Sequence, residues 1–357
     1  MEKNLKNFIK KLSEVYDKDS EDSFISMYLN KETYQKQISE RKKIIESILK
    51  EKTLENFKRS FENIEDILKK ENFKNLAVFS SNKNNFIDFV KLPVNIKNQF
   101  ILDSSPYLRP LARILDEWDS FSLLLLNSNS AVIYSISIGE IKDSKKLSKD
   151  IMNKHKKGGC SQKRFNRLRR GAIKDFFNEI IEEIQKRSND KIIIAGPGTA
   201  KNQFIDILPK NLSDKIIDTI DISIEDQEEL LSKSLKIIAE KEKQTGYNSV
   251  NALKSEILKD GLAVYGIKET LKAVRNGQIE LLLIQKDYSL KGWICEKCQA
   301  VEEGKSDNCP YCKNKTSEID MIEEIIEFAE RTDAEIEFTD SEEISKLGHV
   351  GGFLRFK

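Results

Sequence analysis

Two groups of residues in this 357-residue chain have the types and spacing that chemistry requires. The first is Cys295-x2-Cys298-x10-Cys309-x2-Cys312. Each CxxC step places two thiolates on one side of a tight turn, and a pair of such turns closes a tetrahedral shell around zinc. Four thiolates leave no open coordination position, so the expected metal is structural. The insert at about 293–314 then reads as a zinc ribbon, with Gly304 and Pro310-Tyr311 suited to its hairpins. Free or redox-active thiols are the other reading of the same four residues.

The second group is basic. Lys154, Lys156, Lys157, Lys163, Arg164, Arg167, Arg169, Arg170 and Lys174 fall in one stretch that contains no acid. The whole chain carries 60 basic and 59 acidic residues, a formal net charge of +1, so the run is a local concentration. Phosphate contacts from such a patch would release counterions and make binding salt-sensitive. Most charge runs are plain solvated faces. Here the adjacent Gly158 and Gly159 argue for more, because they let backbone approach a crowded target closely. Cys160, the cysteine outside the cluster, follows at once, and Gln162 is two residues further on.

Elements that would position these groups follow from periodicity. Short apolar runs alternate with helical stretches, the pattern of mixed α/β domains. Residues 24–29 read as a strand and 32–70 as a helical stretch, with Leu54, Phe57, Phe61, Ile64 and Leu68 on its buried face. Residues 76–79, 86–92, 121–126 and 131–138 read as further strands, with a helix at about 108–115. The polar stretch 143–162 reads as an exposed loop. The helix after it would bury Phe165, Leu168, Ala172, Phe176 and Ile180 and turn its arginines outward. Strands at 191–195 and 216–222 belong to a second unit; strands at 279–285 and 335–338 and helices at 266–276 and 319–331 belong to a third. The fold class is therefore α/β, with three mixed domains at 1–140, 141–236 and 237–357 and the ribbon inserted in the last. The acidic stretch 318–343 is expected to form a solvated helix face. No apolar run is long enough to span a bilayer, the first residues show no signal-peptide core, and the cysteine usage suits a reducing compartment. A soluble cytoplasmic protein with no membrane partner is expected.

HKKGGCSQKRFNRLRR resembles the GGQ loop and following helix of archaeal and eukaryotic class I peptide-chain release factors. The usual form there is GGQS followed by RFxRLR, and Ser161, Arg164, Phe165, Arg167, Leu168 and Arg169 match in place. IIIAGPG, TIDIS at 219–223, YGIKETLKAVRNGQIELLLI at 265–284 and GGFLRF at 351–356 are similar to the family's middle and C-terminal domains, as is a CxxC ribbon in the last domain. The resemblance is nearly continuous from about Ser105 onward. It implies a partner, the ribosome, entered at the A site. Lys156, Lys157, Arg164, Arg167, Arg169 and Arg170 would meet ribosomal RNA. Gly158, Gly159, Cys160 and Gln162 would reach the peptidyl-tRNA ester and promote its hydrolysis. A translational GTPase meeting the C-terminal domain is a further implied partner.

Two departures bear on that implication. Cys160 stands where the family has its catalytic glutamine, keeping the backbone N–H but lacking the amide. Gln162 could take over by a shift of register. Alternatively, Cys160 could act as a covalent nucleophile, its thiolate favoured by Lys156, Lys157 and Arg164, with His155 as the companion base. In the N-terminal part, Asn95-Ile96-Lys97-Asn98 is similar to the family's codon-reading NIKS loop, but Asn95 lies only 63 positions before Gly158. There is no YxCxxxF, and PYLRPLARILDEWDSFSLLLL at 106–126 resembles paralogues that lack a decoding head. Rescue of stalled ribosomes is thus implied over codon-directed termination. A non-hydrolytic hibernation or stalled-complex recognition factor is the second reading. Gly196-Pro197-Gly198 lacks phosphate-loop spacing and reads as a structural turn, and His349 as a packing residue.

Overall fold

The segment FISMYLN is apolar on both sides of its alternation. In the computed structural model this strand, β1 (Phe24–Asn30), is buried on both faces. Residues 2–152, 160–187, 191–222 and 227–357 are described. They form two units, one made of 1–117 together with 243–357 and the other of 118–242.

The chain begins with α1 (Glu2–Ser13), β1, α2 (Tyr34–Ile48) and α3 (Glu51–Lys70), then β2 (Asn75–Ser81), β3 (Phe86–Leu92), β4 (Gln99–Asp103) and α4 (Arg109–Glu117). The strands form an antiparallel sheet in the order β3-β2-β1-β4, with Leu29 opposite Leu76 and Ile25 opposite Leu102. The expected helix over 32–70 is two helices, broken where Leu49 and Lys50 adopt extended backbone. That break lets Ile38 and Ile45 of α2 and Phe57, Phe61 and Ile64 of α3 enter the same core beneath Ile25, Met27 and Leu29. On the opposite face Tyr28 packs edge-on to Phe79, and its hydroxyl donates to the Tyr107 carbonyl at 2.5 Å.

The second unit contains β5 (Phe121–Leu126), β6 (Ser130–Ser137), β7 (Glu140–Ser148), α5 (Cys160–Gln185), β8 (Ile192–Ala195), α6 (Gly198–Ile205), α7 (Lys210–Ser213) and β9 (Ile216–Ile220). Its sheet runs β7-β6-β5-β8-β9, antiparallel through β5 and parallel from β5 to β9. All six residues of β5 are buried, since one core forms against α5 and another against α8 (Gln227–Leu258) on the opposite face. This corrects two expectations. Ser137 pairs with Glu140 and Leu124 with Ile194, so 121–138 belong with the second unit and the boundary falls near 118 instead of 140. Part of the expected loop over 143–162 is strand β7. An edge strand needs one paired side only, and lysines on its exposed face are common because they discourage further pairing.

After α8, the first unit resumes with β10 (Ala263–Tyr265), α9 (Ile267–Arg275), β11 (Ile279–Gln285), β12 (Lys291–Cys295), β13 (Ala300–Glu303), β14 (Ser317–Asp320), α10 (Met321–Arg331), β15 (Glu335–Thr339), α11 (Glu342–Lys346) and β16 (Val350–Leu354). The main sheet is β10-β16-β11-β15, with β11 and β15 parallel. A separate three-stranded sheet, β13-β12-β14, carries the cysteines. The first and third expected domains thus share one unit.

Candidate functional site

The basic helix is built in two halves. From Ile173 onward α5 buries Phe176, Phe177, Ile180, Ile181 and Ile184 against β5, β6 and β8. Before Ile173 the helix is largely exposed: Lys163, Arg164, Arg167 and Arg170 stand in solvent, as does Lys174 just after it. Phe165 and Leu168, expected on the buried side, are 42% and 50% exposed, because the sheet ends before it can cover them. Arg169 is held differently, its Nε donating to the Met152 carbonyl at 3.0 Å and tying the end of the β7 segment to the helix.

Cys160 supplies the first backbone position of α5, and its first turn contains no acid. The positive end of the helix dipole therefore adds to the arginines instead of being offset, an arrangement suited to a polyanion. The expected site residues Lys156, Lys157, Gly158 and Gly159 lie outside the described residues, as does the side chain of Cys160. Gln162 is half-buried one half-turn into the helix.

The four cysteines converge. Their Sγ atoms all lie within 4.8 Å of one another, with Cys295 and Cys312 3.4 Å apart and Cys298 and Cys309 3.6 Å apart. The two knuckles are built alike. The Gln299 N–H donates to the Cys295 carbonyl at 2.7 Å and the Lys313 N–H to the Cys309 carbonyl at 2.9 Å. Both donors adopt left-handed backbone, at φ +56° and +63°. Asn314 Nδ2 donates to Cys312 Sγ at 3.2 Å, a hydrogen bond of the kind that favours a thiolate. The core of the insert consists of Trp293, Cys295 and Cys309, too small a group to hold three strands without a staple. Donor type, convergence and poor core all fit a structural zinc.

A third cluster was not legible from residue spacing. Within the acidic stretch 318–343 expected in solvent, α10 is enclosed, with every residue from Met321 to Glu330 buried, while Glu318, Glu335 and Glu342 are exposed. Helices α1 and α4 pack on it from the N-terminal side of the same unit. Glu323 accepts from the backbone N–H groups of Leu108 and Arg109, at the start of α4. Glu327 accepts from the Ser105 hydroxyl at 3.0 Å and pairs with Arg331, whose Nε donates to the Ser13 carbonyl. Burial pushes Glu323 and Glu327 up to about 8, opposed by Arg109 and Arg331 respectively. Asp103 is likewise pushed up to about 8 by burial, and Glu330 to about 7. The only sequence hint was that Ile322, Ile325, Ile326 and Ala329 interleave with the acids around most of the helix.

Two lesser motifs are structural. A Cβ on Gly196 would sit 2.0 Å from the Leu126 carbonyl oxygen, so the glycine is required by close strand packing at φ +145°. Lys201, 3% exposed, is neutralised by Asp221 at 2.9 Å. His349 stacks on Tyr288 with ring centroids 3.8 Å apart, and its Nδ1 lies 2.5 Å from Gln285 Oε1.

The arrangement of an acid-free basic helix after a double glycine, and of a ribbon in the last α/β domain, is that of a release-factor-type protein. Family models agree: "eRF1 domain 2" matches residues 120–242 and "eRF1 domain 3" matches 238–357. A "Peptide chain release factor subunit 1" of Archaeoglobus fulgidus is 30% identical over 285 residues, covering 71% of this chain and 70% of that protein. The protein of the same description from Methanocaldococcus jannaschii is 28% identical over 296 residues, with 71% and 70% covered. The crystal structure of the archaeal translation termination factor aRF1 aligns over 99% of this chain and 98% of that one, at 17% identity and a TM-score of 0.30. The chain belongs to the archaeal and eukaryotic class I peptide-chain release factor family.

Proposed function

We propose that this protein is a ribosome-binding factor of translation termination or rescue that occupies the ribosomal A site and promotes hydrolysis of the peptidyl-tRNA ester. The observation carrying this reading is the first half of α5: basic, acid-free, exposed and directly preceded by Gly158-Gly159. Among the described residues of its own unit these arginines meet one partner, the Met152 carbonyl on Arg169, whereas RNA phosphates would engage the others. Lys156, Lys157, Arg164, Arg167 and Arg170 would meet ribosomal RNA, while Arg169 positions the segment through Met152. Catalysis would come from positioning and from backbone donation by residue 160 within walls made of RNA. Zinc at Cys295, Cys298, Cys309 and Cys312 would be structural, a translational GTPase would dock on the C-terminal domain, and the protein would act in the cytoplasm. Rescue of stalled ribosomes is favoured over codon-directed termination by the absence of the YxCxxxF motif.

Cys160 in place of glutamine favours one second reading, a factor that occupies the A site without hydrolysis. Single-turnover peptide release on ribosomes with stop, sense or empty A sites separates the two. Gly159→Ala should abolish release by denying the close backbone approach, while Cys160→Ala should retain much of it. An inactive Cys160→Ala with an active wild type would point to a thiol nucleophile. Tight binding by a wild type that releases nothing would establish the second reading.

A further inference from the structure

The first cysteine knuckle is the part of the ribbon that touches the N-terminal module. Glu296 lies between Cys295 and Cys298 and is 2% exposed. Its carboxylate accepts from the Ser104 hydroxyl at 2.7 Å, and its backbone N–H donates to Ser20 Oγ at 3.1 Å. Gln299, which closes the knuckle, donates to the other Glu296 oxygen at 2.8 Å and accepts from Arg331 at 3.3 Å. Arg331 in turn reaches back to the Ser13 carbonyl and lies 5.3 Å above the Tyr16 ring. The N-terminal loops around Ser13–Ser20 and Ser104–Ser105 are joined to each other as well, the Asp17 N–H donating to the Ser104 carbonyl at 2.8 Å.

The knuckle is therefore an interface element whose shape depends on four thiols with very little core behind them. We propose that the four-cysteine insert is a metal-dependent clasp: its bound metal holds Glu296 and Gln299 in the geometry that fixes the N-terminal module on the C-terminal domain. This rests on the metal reading above but goes beyond a locally folded ribbon. Metal removal relaxes the left-handed turn at Gln299, withdraws the buried acceptor from Ser104 and the donor from Ser20, and loosens the N-terminal loops at this joint while both main sheets stay folded. Polar groups left unpaired in the joint add to the release.

The test is hydrogen exchange on the full chain, with metal content measured in parallel and Trp293 emission reporting the ribbon. Chelation should speed exchange of peptides covering 13–23 and 104–109 by about tenfold or more, leaving β1, β2, β11 and β16 protected, and zinc should reverse it. Cys312→Ser should behave like the chelated protein. Ser20→Ala combined with Ser104→Ala should loosen the same peptides while retaining one metal per chain, which separates the contact from the metal. A chelated protein that loses its metal and red-shifts Trp293 yet keeps 13–23 and 104–109 protected overturns the clasp. So does chelation that exposes both main sheets, since the ribbon would then support the fold at large. A protein that carries no metal as isolated and still protects these peptides refutes both the clasp and the metal reading.

Discussion

Helices α5 and α10 are both conspicuous charge runs in the sequence, and their surroundings are opposite. The arginines of α5 stand in water beyond the edge of their sheet, whereas the glutamates of α10 are enclosed by α1, α4 and the C-terminal sheet. The difference lies in what the neighbours offer. Around α10 the loop before α4 and the start of α4 supply a serine hydroxyl and two backbone N–H groups, and Arg331 supplies a counter-charge. Around the first half of α5 the described residues of its unit supply one carbonyl, from Met152, for Arg169. Buried charge is structural where the fold answers it, and exposed charge is open to another molecule where the fold does not.

The largest effect on this contrast should come from Glu323→Leu. It strands two backbone donors at the start of α4 and should cost about 3 kcal/mol in denaturant unfolding, with Glu323→Gln recovering most of it. A loss below about 0.5 kcal/mol would show that the joint does not depend on this acceptor. Next is the change of Arg164, Arg167 and Arg170 to Ala. Ribosome affinity should fall and the slope of log K against log salt should flatten by about 2–3, while thermal midpoint moves by no more than about 1 °C. An unchanged salt slope would place α5 with ordinary solvated faces.

A third test uses pH. Asp103, Glu323 and Glu327 hold protons in the folded state up to about 8 and Glu330 up to about 7, whereas the unfolded chain releases them near the ordinary carboxylate range. The folded state thus binds more protons in between, so stability should decrease as pH rises from about 5 to about 8. Glu323→Gln with Glu327→Gln should flatten that decrease; an equally steep profile in the double variant would exclude these groups. The smallest effect is expected for Leu168→Ala. With half of the side chain already in solvent, it should alter stability by less than about 0.5 kcal/mol, although its position among the arginines would make it a sensitive probe of ribosome binding.

Much of the fold could be read without coordinates. The strand over 279–285 is found at Ile279–Gln285, and the expected face of Phe57, Phe61 and Ile64 is buried in α3, because period and side-chain type decide such elements locally. The convergence of the four cysteines was likewise legible, since short spacings leave the backbone few alternatives. The break between α2 and α3 was not, because no glycine or proline marks it and the need to share one core does. Nor was the assignment of β5 and β6 to the second unit, since an apolar strand does not name its partner. Phe165 and Leu168 follow the same helical period as Phe176, and only the extent of the sheet leaves the first two in water. The acids of α10 look solvated until the first third of the chain is folded against them. Local sequence thus determined most of the elements and the four-cysteine cluster, where neighbours along the chain interact. Burial of charge was decided by partners more than a hundred residues away, and ownership of β5 by the pairing of Leu124 with Ile194, contacts that exist only in the folded molecule.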